Sequence, residues 1–251
     1  MTTSIIKNKF FQLIKLVLGT LFCLAIWDLL AKKIADSYFM PGVKETFSAL
    51  KVLIVSDGFF GYVLTSLSRV AIGLVSGILA GILLATVSHI LPLSEIFISP
   101  LITVMKTTPI ATIILILWFT LSDAKLAIFV VFLIVTPIVW QNVYQGYKSI
   151  SNEMCEVCNV FEVSRAKRFR ILVFPAILKY LIPAMITSIG LAWKAEVAAE
   201  IMTYSNMGQS ISDFKTLHYD TASVFAWAVV IIALSIILEA LVKALLRRIK
   251  L

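Results

Sequence analysis

The sequence carries little charge for its length. Asp, Glu, Lys and Arg make up 14% of the 251 residues, whereas 60% of the residues are hydrophobic. An average soluble domain has about 25% charged and about 45–50% apolar residues. This composition excludes an ordinary soluble domain and indicates a protein that crosses a membrane several times.

Cysteine and histidine are also scarce. The three cysteines, Cys23, Cys155 and Cys158, are too few for a disulfide scaffold. Cys155 and Cys158 have the C-x-x-C spacing of a redox or metal pair, but no second pair of Cys or His completes a zinc site. We therefore expect no metal site, and we expect Cys158 to fill a small apolar position on a helix.

The usual signals of catalysis and of strands are missing. The chain has no G-x-x-x-x-G-K-[S/T] phosphate-binding loop, so it is not expected to be an ATPase. No nucleophile, base or metal set accompanies its acidic residues, so it is not expected to be an enzyme.

The net charge of +8 is concentrated in loops and at the termini, which favours membrane topology over nucleic-acid binding. The predicted fold class is an all-α polytopic membrane protein.

Six apolar segments are long enough to cross a bilayer, which takes about 20 residues. They are residues 10–31, 62–90, 93–121, 124–147, 176–203 and 222–246. An even number of spans places both termini on one side of the membrane. Lys and Arg are enriched at the N-terminus, in residues 151–175 and at residues 247–250, so both termini are predicted to be cytoplasmic.

The segment after the first span is less apolar. Residues 43–55 are predicted to form an amphipathic helix on the outer surface. The side chains expected to be partly buried there are Phe47, Leu50, Val52 and Ile54. We accordingly divide the chain into residues 1–61, which hold the first span and this segment, and residues 62–251, a core of five spans. In the last outer loop, residues 204–220, Asn206 and Gly208 are expected to be turn residues.

The second span carries small residues at intervals of four, including Gly73, Gly77 and Gly81. Small residues let helices approach closely in a membrane, so this span is predicted to pack tightly inside a bundle. Arg69 lies less than two turns from its outer end. It either forms a structural ion pair or contributes to a pathway.

The longest polar run, residues 151–175, separates the fourth and fifth spans. Its apolar residues recur at i, i+3, i+4 and i+7, which predicts a short helix that Ser151 can cap. The residues of this stripe are Met154, Val157, Cys158 and Phe161. A second short helix is predicted to start after Ser164 and to end at Pro175. Such a hairpin, apolar on one face and charged on the other, suits the docking of a soluble partner.

The same run resembles the cytoplasmic loop of binding-protein-dependent ABC import permeases. The family pattern reads E-A-A, three residues, G, nine residues, then I-x-L-P. Here Glu156-Val157-Cys158 stands at E-A-A, Glu162 at the glycine and Leu172-Val173-Phe174-Pro175 at the end. A residue other than glycine costs roughly 1 kcal/mol if φ must be positive, so the turn at Glu162 is expected to differ from that of the family.

Two further stretches are similar to the nitrate/sulfonate/taurine-type permeases. Thr65-Ser66-Leu67-Ser68-Arg69-Val70, followed by Gly73, resembles the start of their second span. Ala192-Trp193, with Ala199-Glu200 after it, resembles their fifth span. The resemblance therefore reaches over most of residues 62–251.

The resemblance implies a type I ABC importer permease fold of about six spans with a coupling-helix hairpin. It also implies two copies of an ABC ATPase, a periplasmic or lipid-anchored substrate-binding protein, a second copy of this permease and membrane lipid as partners. No cofactor is expected on this chain, because ATP and Mg would be held by the partner ATPase. The expected location is the bacterial cytoplasmic (inner) membrane. The implied ATPase-docking residues are Glu153, Met154, Glu156, Val157, Cys158, Asn159 and Phe161.

Two groups of residues are candidates for the substrate pathway. Residues 106–109 (KTTP) interrupt the third span at a proline, and the break either lines a pathway or only kinks the helix. In the fifth span, Glu196 and Glu200 are four residues apart and share a helical face, with pairing to Lys194 as the structural alternative. The candidate pathway residues are Lys106, Thr107, Thr108, Trp193, Lys194, Glu196 and Glu200.

The function has three interpretations, of which the first two differ in the substrate and the third in the class of protein. The family pattern suggests a small anion such as a sulfonate, nitrate or bicarbonate, and Lys106 would favour an anion. An aromatic vitamin precursor such as hydroxymethylpyrimidine is the alternative, which Trp193 would favour. A different class of protein, an ion-coupled secondary transporter or channel, would use Lys194, Glu196 and Glu200 as a proton or ion relay.

Overall fold

The computed structural model describes the backbone of residues 2–246 and the side chains of residues 14, 15 and 17–246. Within this part of the chain, all regular secondary structure is helical, which confirms the predicted all-α fold. The basic residues 247–250 lie outside the described residues.

Eleven α-helices follow one another along the described chain. They are α1 (Thr2–Ile34), α2 (Val43–Val55), α3 (Phe59–Ile90), α4 (Pro92–Thr107), α5 (Ile110–Trp118), α6 (Asp123–Lys148), α7 (Asn152–Val160), α8 (Arg165–Arg168), α9 (Phe174–Thr203), α10 (Asn206–Thr216) and α11 (Thr221–Leu246). A π-helical turn, Phe169–Val173, joins α8 to α9.

Four helices in the described part are long and apolar enough to cross a membrane, and the bent pair α4 and α5 adds a fifth. The four are α3, α6, α11 and the continuous helix Arg165–Thr203. The first predicted span, residues 10–31, falls within α1, but several of its side chains lie outside the described residues. The remaining predicted spans agree with the helices to within a few residues at each end.

One compact unit comprises Met1–Phe60 and Ile211–Ile231. Here Trp27 packs its ring 5.7 Å from that of Phe225 and donates its indole N–H to the carbonyl of Pro41. The helix α2 has the predicted bounds but a different buried face, because Thr46 and Leu53 are its buried residues. The expected burial of Phe47, Val52 and Ile54 is wrong: these side chains are exposed. Thr46 and Leu53 are seven residues apart and share one side of the helix, whereas Phe47 and Ile54, also seven apart, lie about 100° further round it.

The other unit comprises Gly61–Ser210 and Ile232–Leu251. The ladder of small residues on α3 lies against α6 as expected. A Cβ added to Gly77 would lie 2.8 Å from the Cβ of Val135, and Gly73 and Gly81 make equally close approaches. The hydrophobic core of this unit lies between α5, α6 and α9. Its buried residues are Ile114, Leu126, Ala127, Val130, Ala195 and Ala199.

Two local predictions are wrong. Residues 204–220 are not a loop, because α10 forms there and buries Met207 and Ile211 on one side at i, i+4 spacing. Pro175 does not end a helix, since the preceding π turn leads directly into α9. Pro175 stands in the first turn of α9, directly after the π turn.

Candidate functional site

The short helix α7 begins as the sequence predicts. The Ser151 hydroxyl accepts the backbone N–H of Met154 at 3.3 Å, which caps the helix. The apolar stripe, however, is largely uncovered within this chain. Met154, Val157 and Phe161 are 51%, 50% and 75% exposed, and only Cys158 of the stripe is buried. The acidic and amide side chains of Glu153, Glu156 and Asn159 are also exposed.

The turn after α7 has the geometry that glycine normally provides. Glu162 has φ +47°, in the left-handed region. The N–H of Val163 donates to the carbonyl of Cys158, the bond that closes a helix around a left-handed residue. Glu162 thus adopts a positive φ at a cost of roughly 1 kcal/mol, and the expectation that its turn avoids this conformation is wrong.

A side-chain hydrogen bond links the two short helices. Arg168 on α8 donates to the amide oxygen of Asn159 on α7 at 3.0 Å. Asn159, one of the predicted docking residues, thus also holds α7 against α8. No group of three or more His, Cys, Asp or Glu residues in the described part lies close enough together to hold a metal ion.

The end of α6 next to this hairpin is tied to two other helices. The Tyr144 hydroxyl donates to Glu95 at the start of α4, and the Lys148 ammonium lies 3.5 Å from the same carboxylate. Tyr147 stacks on His89 of α3 with ring centroids 4.2 Å apart. Only residues 149–151 separate α6 from α7. Sequence reasoning missed this cluster, because Glu95 and Tyr144 are 49 residues apart.

The third span is broken, not kinked. The axes of α4 and α5 differ by 96°, and Thr108 and Pro109 between them are extended. The hydroxyls of Thr107 and Thr108 donate to the carbonyls of Thr103 and Val104, at 2.9 and 2.7 Å. The Val104 carbonyl also accepts the backbone N–H of Thr108, so these hydroxyls are second donors to carbonyls in the last turns of α4.

A cavity of about 270 Å³ lies beside the break. Lys106 lines this cavity, and its ammonium donates to the side-chain oxygen of Gln141, which does not line it, at 2.6 Å. The remaining walls are largely apolar. They include Thr108, Ile110, Ile113, Pro137 and Leu191. Two of the predicted pathway residues, Lys106 and Thr108, therefore share one cavity, whereas Thr107 does not line it.

The acidic pair of the fifth span is buried. Glu200 accepts hydrogen bonds from the Ser66 hydroxyl at 2.9 Å, from Asn206 at 3.0 Å and from Arg69 at 2.7 Å. Glu196, one turn earlier on α9, is also fully buried. Arg69 is thus the ion-pair partner of Glu200, as the structural alternative predicted.

The other two candidates of this span differ from expectation. Lys194 is exposed and forms no ion pair with any residue that the structure describes, so it does not pair with Glu196 or Glu200. Trp193 is completely buried. The sequence did not identify Ser66 and Asn206 as hydrogen-bond donors to Glu200. They are 134 and 6 residues away from it, and neither separation is a helical spacing that predicts contact.

Together, a bundle of membrane-spanning helices, a broken span beside a cavity and an exposed hairpin define a polytopic membrane transport protein. The comparison of sequences makes this specific. The chain belongs to the family of binding-protein-dependent transport system inner membrane components, whose pattern matches residues 77–251.

Curated relatives and a solved structure agree with the family. The putative aliphatic sulfonates transport permease protein SsuC of Bacillus subtilis (strain 168) is 24% identical over 90% of this chain and 82% of its own length. The taurine transport system permease protein TauC of Escherichia coli (strain K12) is 23% identical over 94% and 88%. The nitrate import permease protein NrtB of Leptolyngbya laminosa is 30% identical over 59% and 53%.

A chain from the crystal structure of an amino acid ABC transporter with histidines has the same fold. Its TM-score is 0.60 at 14% identity, covering 73% of this chain and 88% of that one. At this identity the likeness shows the fold alone.

The family defines what the chain does at a coarse level. It is the permease subunit of an ABC importer of the sulfonate/nitrate/taurine type and a multi-pass component of the inner membrane. It is not an enzyme, because ATP hydrolysis belongs to a separate ATPase subunit, and it works with that ATPase and a substrate-binding protein. Neither the secondary transporter nor the importer of an aromatic vitamin precursor is favoured by these relatives.

Proposed function

We propose that this chain forms the pathway for a small anion and is driven through its 151–175 hairpin by a cytoplasmic ATPase. The observation that carries this proposal is the exposed apolar stripe of α7. Large apolar side chains exposed together on a protruding helix mark an interaction surface. Met154, Val157 and Phe161 would enter a groove of the ATPase, with Glu153 and Glu156 as polar contacts at its rim.

The contacts of α6 would carry a movement of the hairpin to the membrane-spanning helices. A displaced α7 pulls on the end of α6 through three connecting residues. The Glu95 carboxylate, held by Tyr144 and Lys148, passes that displacement to α4 and so to the broken span. The stacked pair His89 and Tyr147 passes it to α3. Rigid helices joined by specific contacts are the usual carriers of such coupling.

The substrate assignment rests on the cavity beside the break. Its single ammonium group, on Lys106, favours a negatively charged solute, and its apolar walls tolerate an aliphatic portion. Trp193 does not favour an aromatic solute in this conformation, because its ring is completely buried. The relatives are named as permeases for aliphatic sulfonates, taurine, nitrate and bicarbonate. These names support the same class of solute.

The assembly we propose has two copies of this permease, each seating its hairpin on one of two ATPase subunits. ATP and Mg are bound by the ATPases, and a periplasmic or lipid-anchored binding protein delivers the solute to the opposite face. The basic residues of the hairpin, Arg165, Lys167, Arg168 and Arg170, favour a cytoplasmic hairpin and hence cytoplasmic termini. Residues 62–251 form the pathway and residues 1–61 an added span and outer segment.

Uptake by vesicles that contain the permease, the ATPase and the binding protein tests this function. We expect ATP-dependent uptake of at least one labelled anion from a panel of ethanesulfonate, taurine, nitrate and bicarbonate. Lys106→Gln should raise the KM for that anion, whereas Lys125→Gln, an exposed lysine at the start of α6, should not. Uptake that proceeds without the ATPase, or uptake of hydroxymethylpyrimidine in place of any anion, would contradict the proposal.

A further inference from the structure

One buried carboxyl group has no partner. Glu196 is fully buried, and neither side-chain oxygen has a hydrogen-bond partner in the part of the chain that the structure describes. Glu200, one turn further along α9, accepts hydrogen bonds from three residues. Burying a carboxylate is strongly unfavourable unless it is paired. A cation that reached Glu196 in another conformation would therefore stabilise its carboxylate.

The polar groups near Glu196 include Glu200 on its own helix and Arg69 and Ser66 on α3. The neighbouring face of α9 packs Ala195 and Ala199 against apolar residues of α5 and α6. Among the described residues, Arg69 is therefore the cation that faces both glutamates.

We propose that Arg69 exchanges Glu200 for Glu196 during the transport cycle, so that Glu196 is a positioning residue that acts through Arg69. The two glutamates are four residues apart, so their backbone positions differ by about 6 Å along the helix axis. That distance is within reach of an arginine side chain that changes rotamer, or of a shift of α9 by one turn along α3. One-turn shifts of packed helices are a known form of switching.

The hydrogen bonds of Glu200 make the exchange feasible. When Arg69 leaves, the Glu200 carboxylate keeps the Ser66 hydroxyl and the Asn206 amide as donors. Glu196 gains its first partner in the same step. Each arrangement therefore leaves the guanidinium paired with a carboxylate. Two packed states of similar free energy are what a transport switch requires.

The structure of the complete complex tests the exchange directly. The permease, bound to its ATPase, would be determined once without nucleotide and once with ATP and vanadate. In one of the two states, the Arg69 guanidinium should lie within salt-bridge distance of Glu196. The proposal is overturned if Arg69 contacts the same glutamate in both states.

Variants test whether the exchange matters, with ATP hydrolysis per reconstituted complex as the readout. Glu196→Gln should reduce turnover by roughly tenfold or more, because one of the two states loses its buried ion pair. Glu196→Asp, which keeps the carboxylate, should retain most of the turnover. Glu239→Gln, which removes the carboxylate of an exposed pair with Lys243, is the control and should hydrolyse ATP as the parent does. Normal turnover in Glu196→Gln, or equal losses in the Gln and Asp variants, would refute the role.

The double variant separates this role from one that does not involve Arg69. If Glu196 acts through Arg69, then Arg69→Gln/Glu196→Gln should hydrolyse ATP no more slowly than Arg69→Gln alone. If the two losses multiply, Glu196 acts independently and the exchange is wrong. Melting of the complex checks folding, and Glu196→Gln should not lower the melting temperature, since it removes a buried carboxyl group that has no partner.

Discussion

The backbone N–H of Val163 donates to the carbonyl of Cys158 at 2.9 Å and closes the end of α7 around Glu162. This bond requires a left-handed residue between the two short helices, and φ at Glu162 is +47°. The turn of the hairpin is therefore closed by this chain's own backbone, and the apolar side chains of Met154, Val157 and Phe161 are exposed.

Replacing Glu162 with glycine should be tolerated. Glycine relieves the left-handed strain but gains freedom in the unfolded chain, so the free energy of unfolding should change by less than about 1 kcal/mol. Glu162→Val should lower it by more than about 1 kcal/mol, because a β-branched residue resists positive φ. Thermal unfolding of the complex measures the stability of both variants, and ATP turnover measures their function. A large loss of turnover in Glu162→Gly would mean that the carboxylate itself has a function.

The contact of α3 with α6 depends on the absence of a side chain at Gly77. Gly77→Ala places a methyl group about 2.8 Å from the Val135 Cβ and should lower the free energy of unfolding by about 1–3 kcal/mol. Gly61→Ala on the same helix meets no atom within 4 Å and should be neutral or stabilising. Thermal unfolding in detergent compares the two. Equal effects of both variants would show that the two helices separate at this contact.

Tyr144→Phe and Glu95→Gln should weaken coupling without preventing assembly. Each removes part of the contact between the ends of α6 and α4. Binding-protein-stimulated ATP hydrolysis should fall by roughly tenfold or more, because a hydrogen bond to a charged group contributes about 1.5–3 kcal/mol. Lys148→Ala should have a smaller effect, since its ion pair is exposed. Tyr180→Phe is the matched control, and a loss as large as that of Tyr144→Phe would argue against a specific contact.

The two cysteines of α7 should be dispensable. Replacing Cys155 and Cys158 together with alanine should change the free energy of unfolding by about 1 kcal/mol, mostly through the buried Cys158. Uptake should remain intact, and a zinc chelator should have no effect on the parent protein. Loss of uptake on chelation would reveal a metal role that the spacing alone did not support.

Local features of the fold could be predicted from the sequence where one residue type determines the backbone. Ser151 caps α7 and Pro109 breaks the third span, and both were identified from their chemistry. The π turn before Pro175 could not be predicted, because proline normally signals the end of a helix and only the continuing hydrogen bonds show otherwise.

Contacts of the candidate site that join distant residues could not be predicted from the sequence. Glu196 and Glu200 could be placed on one face by their spacing, but their partners could not. The pairing of Glu200 with Arg69 joins residues 131 apart and depends on the packing of α3 against α9. Lys194 was the nearest cation in sequence, yet its side chain points away from the acids into an exposed position.

The exposed apolar stripe of α7 as the ATPase contact is the central claim, and Val157→Asp tests it most directly. Asn152→Asp adds the same charge to an exposed position at the start of the same helix and serves as the control. Binding of the ATPase subunit to the purified permease should weaken by at least about tenfold in Val157→Asp and stay unchanged in Asn152→Asp. Full binding of the ATPase by Val157→Asp would contradict the account.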